Sequence, residues 1–538
     1  MRRRFGIVAV LAASALLLTG CIPSFTGGTT DGGTTGLPND GTTLRVLAGS
    51  EVKDMVPILE EAAATIGVKV AFEYVGTLAG TELVASGGAA GKYDATWFPN
   101  NRYLSLLPGA SSAITSSVKI MSSPVVLGLR KSVAHRLGWD ATAPTWAELA
   151  AAASAGEFTY GMTNPAASNS GFSALVAVAT ALSGTGSALT DADIRAVTPA
   201  MTSFFSGQKL TAGSSGFLAD KFIANPDVVD GIINYESVLM GLKPSGEQLT
   251  IVTPSDGVVT SDYPLTLLSS ADASKKPLFD KLTAWLTTKK VQQEIVTQTK
   301  RRPGVPGVDT GSTFPGGILF DTPFPNTLDV ANTLISTYLE SVRSPAQTLF
   351  VLDTSGSMGG DRIAALQQAL KNLAGADAST AGGFAAFRSR ERVTLIPFSS
   401  STDTPIVIDV PDGDKSATLA QIRSQADGLV ADGGTAIYDS LETAYKLALK
   451  QQKERPDTFV SIVLMTDGEN TDGATESDFE KFYASLGSGK SKIATFVVLF
   501  GNANVDELTQ VATLTGGKVF DALNGDLAGA FQDIRGYQ

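Results

Sequence analysis

Five oxygen-bearing residues in three separated segments carry the most specific chemistry in this sequence. Asp353, Ser355 and Ser357 alternate in the run 353–357, Thr435 follows two glycines, and Asp467 stands in Thr466-Asp-Gly468. The first three come directly after the apolar stretch 348–352, so in an extended turn leaving a strand their oxygens converge on one side. One carboxylate and two hydroxyls form an oxygen-only ligand set. Such a set suits a hard divalent cation, Mg²⁺ first and Mn²⁺ or Ca²⁺ as alternatives, better than zinc or copper. Three residues this common fall into that order by chance in a chain of 538, so the specificity has to come from the elements that hold them.

Those elements are legible. Ile437, Leu441, Tyr445 and Leu449 recur at helical spacing, which predicts a helix with Thr435 on the loop at its start. Residues 459–465 read as a buried strand that ends at Thr466-Asp467. In an open parallel sheet, ligands bind in the crevice at the carboxyl ends of strands. The three segments therefore deliver oxygens to one sheet edge. Two aspartates balance a dication, while three neutral hydroxyls leave it electrophilic toward an incoming anion.

On these residues the last third of the chain resembles the von Willebrand factor A domain with its metal-ion-dependent adhesion site. That family's pattern of Asp-x-Ser-x-Ser, a distant Thr and a Thr-Asp-Gly turn is complete here as Asp353, Ser355, Ser357, Thr435 and Asp467. The resemblance implies a doubly wound α/β domain over 345–538, whose metal keeps one coordination position for a carboxylate from a protein partner.

The amino terminus carries a different message. Arg2, Arg3 and Arg4 precede the apolar run 5–18, which is too short to cross a bilayer. A secretory signal over 1–20 is expected. Leu18-Thr-Gly-Cys21 then resembles the lipobox of bacterial lipoproteins, in which the cysteine becomes the lipidated first residue, so a lipid anchor at Cys21 and a place on the outer face of the membrane are implied. Cys21 is the only cysteine, which leaves no intrachain disulfide. Residues 21–43 are rich in Gly and Thr and read as a flexible tether with a reach of about 25 Å. The formal net charge is −12, and more negative still without the three arginines, which argues against nucleic acid as a partner.

Between residues 44 and 308 strand and helix patterns alternate, as in βαβ units. Loops after the predicted strands carry Ser50, Thr77 and, in 163–171, Ser168, Asn169 and Ser170 at the start of an apolar helix, where free N–H groups and hydroxyls can meet a polar ligand. A single late helix is expected over 276–298. The region resembles the type II solute-binding proteins of ABC importers, which implies a bilobal α/β fold and a small solute held between lobes that close like a hinge. Ser50, Thr77, Ser168, Asn169 and Ser170 are the candidate contacts; each is equally a helix cap or turn residue. Trp97, Tyr235 and Tyr263 are candidate cleft aromatics, with core packing the competing reading. Residues 309–344 read as a Gly/Pro-rich linker and a bridging helix whose apolar stripe, Leu328, Ala331, Leu334, Ile335 and Leu339, needs a packing surface.

Other signals point away from catalysis. Residues 484–491 fit a relaxed Walker pattern, yet they sit between a predicted helix and a following strand, the reverse of a phosphate loop. His135 is the only histidine, which removes His-based triads and His zinc sites. Glu469 and Asp472 lack the spacing of an EF-hand and are expected to be solvated. A non-enzymatic surface lipoprotein that binds a solute and a protein partner is the expectation. A strict importer receptor, with the second domain serving assembly, and a scaffold with a degenerate cleft are the alternatives.

Overall fold

The computed structural model describes residues 37–537 apart from 315–318, 488, 491, 492, 502, 503 and 523–526. The signal expected at 1–20, the lipid acceptor Cys21 and the tether as far as Gly36 lie outside the described residues. From Leu37 onward the chain forms one unit built on three sheets. The last part of the expected tether already belongs to it. The buried Lys275 ammonium donates to the carbonyls of Asp40 at 3.0 Å and Thr43 at 2.8 Å, and the first strand begins at Thr43.

The first lobe holds a sheet in the order Lys69–Tyr74, Thr43–Ala48, Ala95–Trp97, Pro264–Leu268 and Ile114–Lys119, with Pro264–Leu268 antiparallel to both neighbours. The second is organised on Met121–Leu129, a strand buried at every residue, which pairs with Gly231–Tyr235, Thr250–Val252 and Thr260–Ser261. The chain thus crosses between lobes at Ile120 and returns at Asp262-Tyr263. Tyr263 holds a left-handed φ of 42°, a costly conformation for a bulky residue, and is pinned there by Trp97 Nε1 donating to its carbonyl at 3.0 Å.

The helix expected over 276–298 is two helices, Lys275–Leu286 and Lys289–Thr299. At the break, Thr287 and Thr288 turn their hydroxyls onto the carbonyls of Thr283 and Trp285, and the Gln292 amide takes up the Leu286 carbonyl at 2.8 Å. Apolar periodicity continues through such a break, so the pattern alone does not reveal it.

The third sheet runs Ile406–Asp409, Arg392–Phe398, Ala346–Asp353, Phe459–Thr466, Ala494–Leu499 and Val519–Asp521, parallel except for the first edge strand. Strand order reverses between Ala346–Asp353 and Phe459–Thr466, which opens a crevice at their carboxyl ends. Helix Ile437–Glu454 covers one face through Ile437, Leu441, Ala444, Tyr445 and Ala448.

The linker and bridging helix do not float. Val258 donates to the Phe320 carbonyl at 2.9 Å and receives Thr322 N–H at 2.8 Å, which straps the linker to the second lobe. Helix Leu328–Thr337 buries Ala331, Leu334 and Ile335 in the core of the solute-side body, and Tyr338 stacks edge-on to Phe205 at 5.1 Å. Just beyond it, Arg343 pairs with the buried Glu391, which also takes Arg535 of the last helix, Leu527–Arg535, at 2.7 Å. Burial alone would raise the Glu391 carboxyl, but Arg535 and Arg343 outweigh it and hold the group below its ordinary value. Replacing Glu391 by Gln removes the buried negative charge that Arg343 and Arg535 share, so urea denaturation should show a loss of about 3–5 kcal/mol; a loss below 1 kcal/mol would mean that the cluster holds nothing together.

Candidate functional site

The strand end at Asp353 is positioned by parallel register, with Leu352 beside Met465 and Asp353 beside Phe398. A short 3₁₀ turn, Gly356–Met358, follows and carries Ser357 round toward the neighbouring strand. The outcome is a continuous polar chain. Thr466 Oγ1 donates to Asp353 Oδ2 at 2.6 Å, and Ser355 N–H donates to Asp353 Oδ1 at 2.8 Å. Ser355 and Ser357 share a hydroxyl contact at 2.9 Å, and Ser357 donates to Asp467 Oδ1 at 2.7 Å. Asp353, Ser355 and Asp467 are buried and Ser357 is exposed, so the set opens to solvent on one side.

Thr435 reaches this edge by backbone ties. Gly356 N–H bonds the Gly433 carbonyl at 2.9 Å, and Gly433 holds a φ of 77° that suits glycine. Thr435 N–H is held in turn by Thr471 Oγ1 at 2.8 Å and Asp472 Oδ2 at 3.2 Å. Asp472, expected to be solvated, is therefore a support for the Thr435 loop. Thr466 enters the sequence analysis only as part of the Thr-Asp-Gly turn and Thr471 not as a site residue; a hydroxyl beside a candidate ligand is the signal that marks them.

The electrostatics fit a cation. Burial pushes the Asp353 carboxyl above its ordinary value, its hydrogen bonds from Ser355 and Thr466 pull the other way, and nearby Asp467 raises it further. A positive ion would relieve that cost. Among the described residues no group of three or more His, Cys, Asp or Glu side chains is placed to hold a metal. The donor set here has only two carboxylates with hydroxyls completing it, which is the composition of a weakly neutralising, oxygen-only site.

The five candidate solute contacts divide between two places. Ser50, Thr77 and Ser168 line a cavity of ≈ 220 Å³. Helices Thr77–Ala85 and Asn169–Ser183 start here with no side-chain cap, so the N–H groups of their first turns are not taken up by a capping side chain. Asn169 and Ser170 lie deeper, in a seam where the lobes meet. Asn169 accepts from Asn100 Nδ2 at 3.0 Å and donates to Tyr235 and Ser261, both at 3.1 Å. Ser170 links Ser168 to Ser215, and Ser215 donates to Glu51 Oε1 at 3.2 Å. Glu51, absent from the sequence reading, has a carboxyl raised by burial, with Ser215 and Arg301 opposing. Trp97, Tyr235 and Tyr263 are fully buried, so packing is their role.

Two family profiles match this chain: the bacterial extracellular solute-binding protein over 44–298 and the von Willebrand factor type A domain over 349–534. The chain joins a bacterial extracellular solute-binding domain to a von Willebrand factor type A domain. Among curated proteins it is similar to inter-alpha-trypsin inhibitor heavy chain H4 of Bos taurus, 34% identical over 134 residues, which are 24% of this chain and 13% of that protein. The chain thus matches about an eighth of that relative's length. Among solved structures, it is similar to the periplasmic binding protein AfuA from Actinobacillus pleuropneumoniae (TM-score 0.44, 13% identity, 56% of this chain and 98% of that one). A von Willebrand factor type A structure from Catenulispora acidiphila also matches (TM-score 0.29, 18% identity, 36% of this chain and 43% of that one).

Residues of the VWA domain complete part of the wall of the cavity at Ser50, Thr77 and Ser168. Gln532, Gly536 and Tyr537 at the domain's carboxyl end, with Ala381 and Phe384, line it together with Ser50 and Thr77. Asn164 Nδ2 donates to the Arg535 carbonyl at 3.3 Å, and Ala381 N–H donates to Glu82 Oε2 at 3.2 Å. The Tyr537 ring lies edge-on to Phe217 at 4.9 Å and so close over Gly213 that a Cβ there would sit 2.4 Å from the ring. Nothing in the spacing of these residues announces the contact. Tyr537→Ala should remove about 3–5 kcal/mol of packing and speed amide exchange in 213–217; unchanged protection there would show that the ring does not hold the domains together.

Proposed function

We propose that this protein is a membrane-anchored, non-catalytic receptor outside the cell. It binds a small solute between the lobes of its solute-binding domain and a protein partner through a divalent ion on its VWA domain. The solute-binding family over 44–298 supports an exported receptor for a small solute. The Leu18-Thr-Gly-Cys21 sequence supports lipidation at Cys21 and placement on the outer face of the membrane. Among the described residues no helix is long and apolar enough to cross a bilayer.

The observation that carries the metal reading is the convergence of Asp353, Ser355, Ser357 and Asp467 in one hydrogen-bonded chain, with the loop that carries Thr435 tied to the same turn through Gly433. Mg²⁺ is the first choice and Mn²⁺ or Ca²⁺ fit the same donors. Bound there, the ion would supply a positive charge for a carboxylate of the partner. The chain's own residues do the rest: Thr466 and the Ser355 N–H orient Asp353, Ser357 orients Asp467, and Thr471 with Asp472 hold the Thr435 loop.

Calorimetric titration tests this. Mg²⁺ should bind the full chain and not the Asp353→Asn variant, whose shape and neighbours are kept; equal affinity in both would remove Asp353 from the site. For the cleft, a thermal-shift screen of sugars, oxyanions and amino acids should find a solute that stabilises the wild type and stabilises Ser168→Ala less. A screen in which no class shifts the transition would count against a working cleft.

A further inference from the structure

Arg362 stands outside the five-residue pattern, yet the structure puts it on the cation site. It lies in the first turn of helix Asp361–Lys371, directly after the turn that carries Ser357. Its Nη1 is ion-paired to Asp467 Oδ2 and donates to the Ser357 carbonyl at 3.3 Å. The remaining Asp467 oxygen accepts from Ser357 Oγ at 2.7 Å, so both carboxylate oxygens are engaged within the chain. The guanidinium is seated rather than splayed on the surface: a Cβ at Gly501 would lie 2.9 Å from its Cζ. Exposure is lopsided, with the Asp467 side chain at 0% and that of Arg362 at 33%.

We propose that Arg362 is the internal counter-ion of the metal site, holding Asp467 in the metal-free domain and giving way when a divalent ion binds. The inference rests on the reading that this site takes such an ion. Its reason is charge balance. Two buried carboxylates, Asp353 and Asp467, share one pocket, and an unpaired buried charge is strongly destabilising. Arg362 neutralises one of them and so keeps the loops assembled before the ion arrives. A dication on Asp467 then brings a second positive charge to an oxygen already paired with a guanidinium. Two cations at that spacing repel, more strongly in a buried site than in water. Arg362 is the partner that can leave, because it hangs from an exposed helix start and its charge is readily solvated there. Metal affinity is accordingly set by the difference between the ion's attraction and the pair it displaces.

The test compares the full-length wild type with Arg362→Gln and Arg362→Lys, using Mg²⁺ alone as the probe. Titration calorimetry gives affinity, and thermal denaturation in chelator and in excess Mg²⁺ gives the stability of each state. Arg362→Gln should bind Mg²⁺ about tenfold more tightly, melt lower in chelator and gain more from Mg²⁺ than the wild type does. Arg362→Lys, with a compact ammonium in place of the fork, should fall between the two and serves as the comparison if the Gln variant does not fold. Equal or weaker Mg²⁺ binding by the folded variants, with wild-type binding intact, would overturn the counter-ion role and leave the metal site standing. Absence of Mg²⁺ binding in all three proteins would overturn both, whereas binding by the variants alone would support displacement in its strongest form.

Discussion

The arrangement of this molecule hangs on one buried carboxylate. Glu391 sits just ahead of a strand of the VWA sheet and receives a guanidinium from each side, Arg343 from the end of the bridging segment and Arg535 from the last helix. Such a cluster is a poor source of net stability, because desolvation of the charges offsets most of their attraction. Its effect is positional. Three segments far apart in sequence must meet at one point, since any arrangement that separates them leaves a charge buried alone. With Arg535 fixed, the residues that follow it, Gly536 and Tyr537, are delivered against the second lobe. The solute-binding and VWA domains are therefore packed against each other, with apolar side chains of both in a common core.

The metal edge follows the same logic at smaller scale. A parallel sheet reverses its strand order beside Ala346–Asp353, and the backbone beyond that strand end must turn away, which leaves side-chain oxygens facing one crevice. Hydrogen bonds from Thr466 and the Ser355 N–H orient Asp353 without neutralising it, and burial leaves its charge costly. The Asp353 carboxylate is thus oriented by the fold itself, and an ion held there, as proposed, would supply the positive charge that offsets its burial. Preorganisation of this kind places the cost of ordering the ligands in folding rather than in binding.

Local pattern and spacing make the elements and the polar cluster at the strand end legible because both are written in short-range sequence. Alternation after an apolar run placed Asp353, Ser355 and Ser357, and the 3.6-residue repeat placed Thr435 at a helix start. What spacing does not encode is which loop folds back on which. Asp472 reads as solvated because nothing local says that it faces the Thr435 N–H, and nothing local marks Arg362 as a partner of Asp467. The break at Thr287-Thr288 was hidden by apolar periodicity that runs straight through it. Asn169 and Ser170 were placed correctly at a helix start, but only the lobe interface decides that they lie in a seam while Ser168 faces the cavity.

Docking of the VWA domain over the cavity constrains how the two sites can work. A solute bound beside Ser50 and Thr77, as proposed, would touch a wall that belongs partly to the last VWA helix, and its binding free energy would include whatever that wall gains or loses. That helix also joins the VWA core through Phe531 and Ile534, and the Phe531 ring stacks on Phe350 of the strand ending at Asp353. A path of contacts therefore connects the cavity to the cation site, but contact is only a route. Energetic linkage requires that solute and ion each favour the same position of that helix, and if they do, each must shift the other's affinity by the same factor. The cavity wall and the strand that ends at Asp353 thus share one element, the last VWA helix, whose position a solute and an ion, if both bind as proposed, would each have the opportunity to bias.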